Sequence, residues 1–201
     1  MLETIKAIDT SIFLFINGHH SPYFDQVMWL ASDTYTWIPL YGWFLWLLFR
    51  ENRQKFWLVL LTITMMIVVS DQLCTFSKEF FMRLRPSNEP SLQHLVHIIN
   101  GYTGGSYGFY SSHASNSFTV ATFMTGMIEK GRKFIIPLAF SYALITSYSR
   151  MYLGVHYPGD ILTGAIAGCL IGWGMCRFYY WLDRKLDDRR LSENTGRLKG
   201  Q

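Results

Sequence analysis

The chain has 201 residues, enough for one domain, and half of them are hydrophobic, which suits either a soluble core or a compact membrane bundle. Its three cysteines, Cys74, Cys169 and Cys176, lie inside apolar runs without metal-type spacing, which excludes a disulfide framework and a cysteine-based zinc site. The net charge of +4 reports topology more than a partner, because the basic tail from Arg184 to Lys199 is interrupted by Asp187, Asp188 and Glu193; no nucleic-acid partner is expected.

The arrangement of the apolar residues points to the membrane. From the N-terminus, residues 5–31 hold an apolar run, IFLFI, too short to cross a bilayer, then a Gly-His-His-Ser-Pro break and an amphipathic piece ending near Ser32. These read as helices lying in the membrane interface. No basic segment followed by an apolar run and a small-residue cleavage site precedes them, so no removable signal peptide is expected. Five spans follow, at 34–49, 56–77, 112–128, 134–149 and 159–181, with many of the seven Trp, twelve Tyr and fifteen Phe near their ends, as in interfacial belts. The third span carries Ser115, Asn116, Ser117, Thr119 and Thr122, which are costly against lipid and should face neighbouring helices. In the last span Gly164, Ala165, Gly168, Gly172 and Gly174 recur at approximately helical spacing, a pattern for close helix packing. The expected fold is all-α: an integral membrane helical bundle of about five transmembrane helices plus N-terminal interfacial helices. It forms a single domain, with 1–33 interfacial, 34–181 the bundle and its loops, and 182–201 a cytoplasmic basic tail.

Basic residues set the orientation. Arg50, Arg53 and Lys55, then Lys130, Arg132 and Lys133, then seven more from Arg177 onward total thirteen on one side, whereas Lys6, Lys78, Arg83, Arg85 and Arg150 are the five on the other. The richer side is cytoplasmic, so the C-terminus lies inside and the opposite loops face outward, the periplasm in a Gram-negative bacterial inner membrane. The one long connection, 79–111, contains Pro86, Pro90, Gly101, Gly104, Gly105 and Gly108, and a loop of that length is usually functional or disordered.

Three outward segments carry chemistry: KEFFMRLRP from Lys78 to Pro86, YSSHAS from Tyr110 to Ser115, and SRMYLGVHYPGD from Ser149 to Asp160. A phosphomonoester is nearly dianionic and its transfer is catalysed chiefly by positioning and cation contacts, which Lys78, Arg85 and Arg150 can supply. Backbone N–H groups at the start of the third span, beside Ser111 and Ser112, add an anion site. His156 and Asp160 stand four apart, so the carboxylate can hold one imidazole nitrogen while the other attacks. His113 can protonate the leaving oxygen and later deprotonate water. No metal and no cofactor is needed, and no carboxylate cluster for magnesium or zinc accompanies these segments.

The ordered motifs resemble those of the type-2 phosphatidic acid phosphatase superfamily, K-x6-RP, PSGH and SR-x5-H-x3-D, whose site is shared with vanadium-dependent haloperoxidases. The resemblance runs from Lys78 to Asp160. It implies Lys78, Arg85 and Arg150 as phosphate binders, Ser111 as a hydrogen-bond donor, His113 as acid and base, His156 as nucleophile and Asp160 as its partner. Tyr110 and Ser112 depart from the proline and glycine of PSGH, so Ser112 must accept strain or a different turn if that glycine has positive φ. The resemblance further implies a membrane lipid substrate: undecaprenyl diphosphate is favoured, with lipid A, phosphatidylglycerophosphate and phosphatidic acid as alternatives. A non-catalytic lipid-binding or lipid-moving protein on the same scaffold is a rival of another class, as is an oxidative enzyme using bound vanadate. Asp71, in an apolar span, and His94 and His97, in the long loop, are further candidates for substrate contact or plain structural residues.

Overall fold

The computed structural model describes residues 2–128 and 133–199. Seven α-helices carry the described chain: α1 (Leu2–Gly18), α2 (Pro22–Ser32), α3 (Ile38–Glu51), α4 (Phe56–Phe81), α5 (Ser112–Met127), α6 (Ile135–Tyr152) and α7 (Pro158–Lys199). Among the described residues no strand forms, only one antiparallel bridge between Leu84 and Tyr107 in the long connection. The all-helical expectation is met. Each expected span is a helix, α3 preceded by a 3-10 turn at Thr34–Trp37 and α7 running well past residue 181. Its extension is tied back by Lys55, which pairs with Asp183 at 2.5 Å and Asp187 at 2.8 Å. Lys130 and Arg132 of the charge count, and the tail's Gly200 and Gln201, lie outside the described residues.

By length and composition, two helical stretches, Arg53–Phe81 and Pro158–Arg189, are long and apolar enough to cross a bilayer. Their outer faces show it: Ile67, Val68 and Phe76 on α4, and Leu162, Ile166, Leu170 and Trp173 on α7, are each more than half exposed. Such a girdle is disfavoured in water and natural in lipid. Two of the other expected spans, α3 and α5, fall short of that test for physical reasons. At 14 residues α3 reaches only ~21 Å, and α5 buries Ser115, Ser117 and Thr119 within the bundle, as their cost against lipid demands.

At the centre stands α5, clasped most closely by α7 and then by α6. The α5–α7 contact depends on the glycines of α7. A Cβ at Gly164 would lie 2.7 Å from the Ser111 carbonyl oxygen and one at Gly172 2.5 Å from that of Thr119, while Gly168 abuts the Ser115 carbonyl in the same way. Three successive turns of α5 backbone therefore lie directly on α7, which fixes the start of α5 against the start of α7. The small-residue expectation is met there; Gly174 meets nothing within 4 Å. Below the site, Phe44, Leu48, Leu58, Val59, Met66, Phe123 and Ile135 form the main apolar core.

Helix ends place the loops. Met82, with φ 46°, closes α4 in a left-handed cap one turn after Lys78 and turns the chain into the extended Arg83–Arg85 segment. Ser21 caps α2, its hydroxyl accepting from the Phe24 N–H at 3.4 Å, with Pro22 opening the helix. Gly154, at φ 79°, turns α6 toward α7 where a Cβ would meet Val96 at 2.8 Å.

A methyl group at Gly168 must push α5 from α7, so Gly168→Ala should cost about 1–3 kcal/mol. A lowered thermal midpoint in detergent, against an unchanged or raised one for Gly174→Ala, is the measurement that checks it.

Candidate active site

The helix ends gather the three motif segments as the sequence reading requires. Arg85 descends from the extended segment after α4, with its Nε donating to the Tyr107 carbonyl at 3.2 Å and Nη1 to Val155 at 3.4 Å. The same Nη1 lies 3.1 Å from His156 Nε2. An arginine can only donate, so Nε2 accepts and carries the free lone pair, while the ring proton sits on Nδ1. His156 is fully buried in the α6–α7 connection. Burial first, and then the charges of Arg85, Arg150 and Lys78, hold its titration well below the usual histidine range, so the ring is neutral at ordinary pH. A neutral imidazole with its Nε2 lone pair turned toward cations is a nucleophile's form.

Asp160 stands behind Nδ1, its Oδ2 3.5 Å away. That exceeds the usual 2.7–3.2 Å of a good hydrogen bond, and Nδ1 has no partner among the described residues. The carboxylate is engaged elsewhere. Asp160 is the third residue of α7, and its Oδ2 accepts the Tyr157 N–H at 3.0 Å, the reach-back half of a capping box. Its Oδ1 takes Arg83 Nη1 at 2.9 Å. Arg83 in turn binds Asp9 of α1 at 2.6 Å and lies over the Tyr157 ring at 4.1 Å, and Asp9 accepts the Gly159 N–H at 2.7 Å.

Arg83 and Asp9 are the members that sequence reasoning missed. For Arg83 a signal existed: in an extended segment, residues two apart share a face, so Arg83 and Arg85 belong to one side. For Asp9 there was none, since it meets Gly159 across 150 residues.

Arg150, at the end of α6, is 3% exposed. Its Nη1 donates to Ser32 at the end of α2 and its Nη2 to the Tyr102 hydroxyl at 2.9 Å, while Nε has no partner among the described residues. Lys78 Nζ donates to Ser112 Oγ at 2.5 Å. Ser112, the departure from the motif glycine, is the first residue of α5 and is absent from the positive-φ positions, so no strain arises there, and its hydroxyl holds Lys78, which glycine could not. Ser111 caps the helix, its Oγ accepting the Ala114 N–H at 3.4 Å and its own N–H bonding the Asp160 carbonyl at 3.1 Å. Tyr110 is buried beside Cys74.

His113 shares a cavity of about 230 Å³ with Arg150, Tyr102 and Trp29. A second cavity of about 310 Å³ joins His113 and Ser112 to Asp71, Asn116 and Tyr41. It shares the wall residues Thr34, Tyr41, Asn116 and Tyr142 with an apolar groove of about 370 Å³, lined by Phe44, Leu45, Ile63, Met66 and Ile67 of α3 and α4. Asp71 is therefore a cavity-wall residue. His94 is exposed, and His97 engages Asp25 at 3.1 Å and stacks on His20 instead of meeting the phosphate motifs.

The chain belongs to the PAP2 superfamily, whose sequence profile matches residues 61–184. It is 38% identical over 203 aligned residues to the lipid A 4'-phosphatase of Bacteroides thetaiotaomicron, covering all of this chain and 88% of that one. With the undecaprenyl-diphosphatase of Sulfolobus acidocaldarius it shares 29% identity, over 83% of this chain and 76% of that one. The crystal structure of a transmembrane PAP2-type phosphatidylglycerolphosphate phosphatase from Bacillus subtilis has the same fold, with a TM-score of 0.65 at 23% identity, covering 90% of this chain and 87% of that one. A lipid phosphate phosphatase of the membrane is thus at hand.

Removing Arg83 would leave the fully buried Asp160 carboxylate half satisfied. Arg83→Gln should cost about 3 kcal/mol, the low end for a broken buried pair because Arg83 itself is partly exposed. Denaturation in detergent reads the loss, and Arg83→Lys should recover part of it.

Proposed function

We propose that the enzyme removes a phosphate from a lipid A-type glycolipid through a phosphohistidine intermediate on His156, at the outward face of the membrane. The observation that carries the chemistry is the buried neutral ring whose Nε2 meets Arg85 at 3.1 Å with Asp160 behind Nδ1. Lys78, Arg85 and Arg150 bind the phosphate oxygens, and Arg85 exchanges its contact with Nε2 for one with an oxygen. The N–H groups at the start of α5, beside the Ser111 cap, add dipolar stabilisation. Nε2 then attacks phosphorus as the P–O bond to the lipid breaks, and His113 gives its proton to the departing oxygen. In the second half His113 takes a proton from water, whose oxygen attacks phosphorus and breaks the P–N bond, releasing inorganic phosphate. As His156 becomes cationic in forming that bond, Asp160 offsets the charge on its Nδ1 side. Three fixed cations supply the charge stabilisation a metal ion would otherwise give.

The apolar groove behind His113 supports a lipid substrate, because an acyl chain can lie along Phe44, Leu45 and Ile67 while its phosphate reaches the cations. Lipid A takes precedence over undecaprenyl diphosphate, the preference drawn from the sequence, since the full-length similarity is to a lipid A 4'-phosphatase and the likeness to an undecaprenyl-diphosphatase is lower and less complete. One membrane domain is our reading of the whole chain, with 1–33 in the interface. The apolar stripe Ile5, Ile8, Ile12 and Phe15 on α1 is exposed, as that placement requires. Asymmetry of the basic residues supports a cytoplasmic C-terminus.

Phosphate release from purified lipid A, undecaprenyl diphosphate, phosphatidylglycerophosphate and phosphatidic acid, in detergent with chelator, tests the reading. Turnover should resist chelator, be inhibited by vanadate, and be fastest on lipid A. His113→Ala should lower it about 10²–10⁴-fold, and His156→Ala should abolish it. An active His156→Ala enzyme overturns the nucleophile; a faster rate on undecaprenyl diphosphate overturns only the substrate; no turnover on any lipid returns the scaffold to a lipid-binding role.

A further inference from the structure

Away from the phosphate motifs, three segments bring two imidazoles and a carboxylate together. His20 lies in the turn between α1 and α2, Asp25 in the first turns of α2, and His97 in the long connection. One ligand-capable atom from each falls within 4.8 Å of the other two, with His97 Nε2 and Asp25 Oδ2 at 3.1 Å. Two ligands bound at ~2.0–2.1 Å in tetrahedral geometry stand ~3.3 Å apart, so the three atoms must draw together by up to ~1.5 Å to close on a metal.

The surroundings hold two of the three groups in place. Tyr152 donates to Asp25 Oδ1 at 2.7 Å, which orients the carboxylate and leaves Oδ2 toward the histidines. The backbone of His97 is clamped by the fully buried Asn17, whose Oδ1 accepts the His97 N–H at 2.7 Å and whose Nδ2 donates to the His97 carbonyl at 3.0 Å and that of Tyr152 at 2.8 Å. Outer partners of this kind are what fix a metal-binding carboxylate and backbone. The third group, His20, is exposed and stacks flat on His97 with ring centroids 3.6 Å apart, so it must tilt out of that stack for both rings to face one ion.

We infer that His20, Asp25 and His97 form a binding site for a divalent transition metal, zinc by its ligand chemistry, that clamps the N-terminal helices to the long loop. Two imidazoles and one carboxylate suit zinc over the hard cations magnesium and calcium, which take oxygen ligands. Water fills the remaining position, because three protein ligands leave a tetrahedral site open. The site is structural in role, and because Asn17 clamps the His97 backbone without metal, its chelation leaves turnover in place. The loop it secures carries Tyr102, which holds Arg150, and Asp25 is bound to Tyr152, two residues beyond that arginine. This inference is independent of the phosphohistidine reading.

Calorimetric titration of zinc chloride into the chelator-stripped, desalted protein in detergent tests it, with cobalt absorption as a second readout of coordination. Wild type and His156→Ala should each take up one equivalent. His20→Ala, Asp25→Asn and His97→Ala should weaken binding about ten-fold or more. The exposed His20→Ala and the Asp25→Asn change, which keeps an acceptor for Tyr152, guard against a merely unfolded variant. Stoichiometric binding that the three substitutions leave unchanged overturns the site, as does a wild type that binds no zinc.

Discussion

Keeping three cations together inside a largely buried pocket is the constraint on which this structure depends. Arg85 and Arg150 are buried and Lys78 is largely so, and like charges at close range repel more strongly as water is withdrawn. The fold offsets this with neutral acceptors: carbonyls of Tyr107 and Val155 for Arg85, hydroxyls of Ser32 and Tyr102 for Arg150, and the Ser112 hydroxyl for Lys78. Neutral partners leave the net positive charge in place. The buried carboxylate at hand, Asp160, turns its oxygens to Arg83 and the Tyr157 N–H instead of pairing directly with any of the three cations. What results is a pocket of net positive charge, the feature on which the proposed binding of a dianionic phosphate rests.

Depression of the His156 titration follows from the same arrangement. Burial and the surrounding positive charge both disfavour an imidazolium, which keeps the Nε2 lone pair available before substrate arrives. In the proposed reaction bound phosphate reverses the local sign, and the charge that develops on the ring during attack then has Asp160 nearby. Asp160 is positioned less by the histidine than by the α7 cap and the Arg83–Asp9 chain. Thus α1, an N-terminal helix far from the motifs in sequence, contributes to holding the Asp160 carboxylate.

Close approach of α5 and α7 gives the second support. Because α7 offers glycine at each turn that meets α5 backbone, the two helix starts are set side by side, and Ser111, His113, His156 and Asp160 keep a fixed relation. The polar inner face of α5 serves both ends, since Ser115 and Asn116 meet Ser70 of α4 while His113 and Asn116 border the cavity beside the apolar groove. A substrate with a charged head and an apolar tail matches that gradient.

Much of this was written in the sequence. Span positions, the polar character of α5, the glycine spacing of α7 and the residues of the three motifs are local properties of composition and period, and the helices appear where those properties place them. Tertiary structure alone decided which atoms meet. It gave Asp160 to Arg83 and the α7 cap, with the His156 ring left at 3.5 Å, and it made Ser112 a partner of Lys78 instead of a strained substitute for glycine. It brought Asp9 to Gly159 and His97 to Asp25 and His20. The reason is physical: hydrophobic period and helix ends are encoded within a few residues, whereas an ion pair or cavity wall depends on the packing of segments whose separation along the chain leaves no local trace.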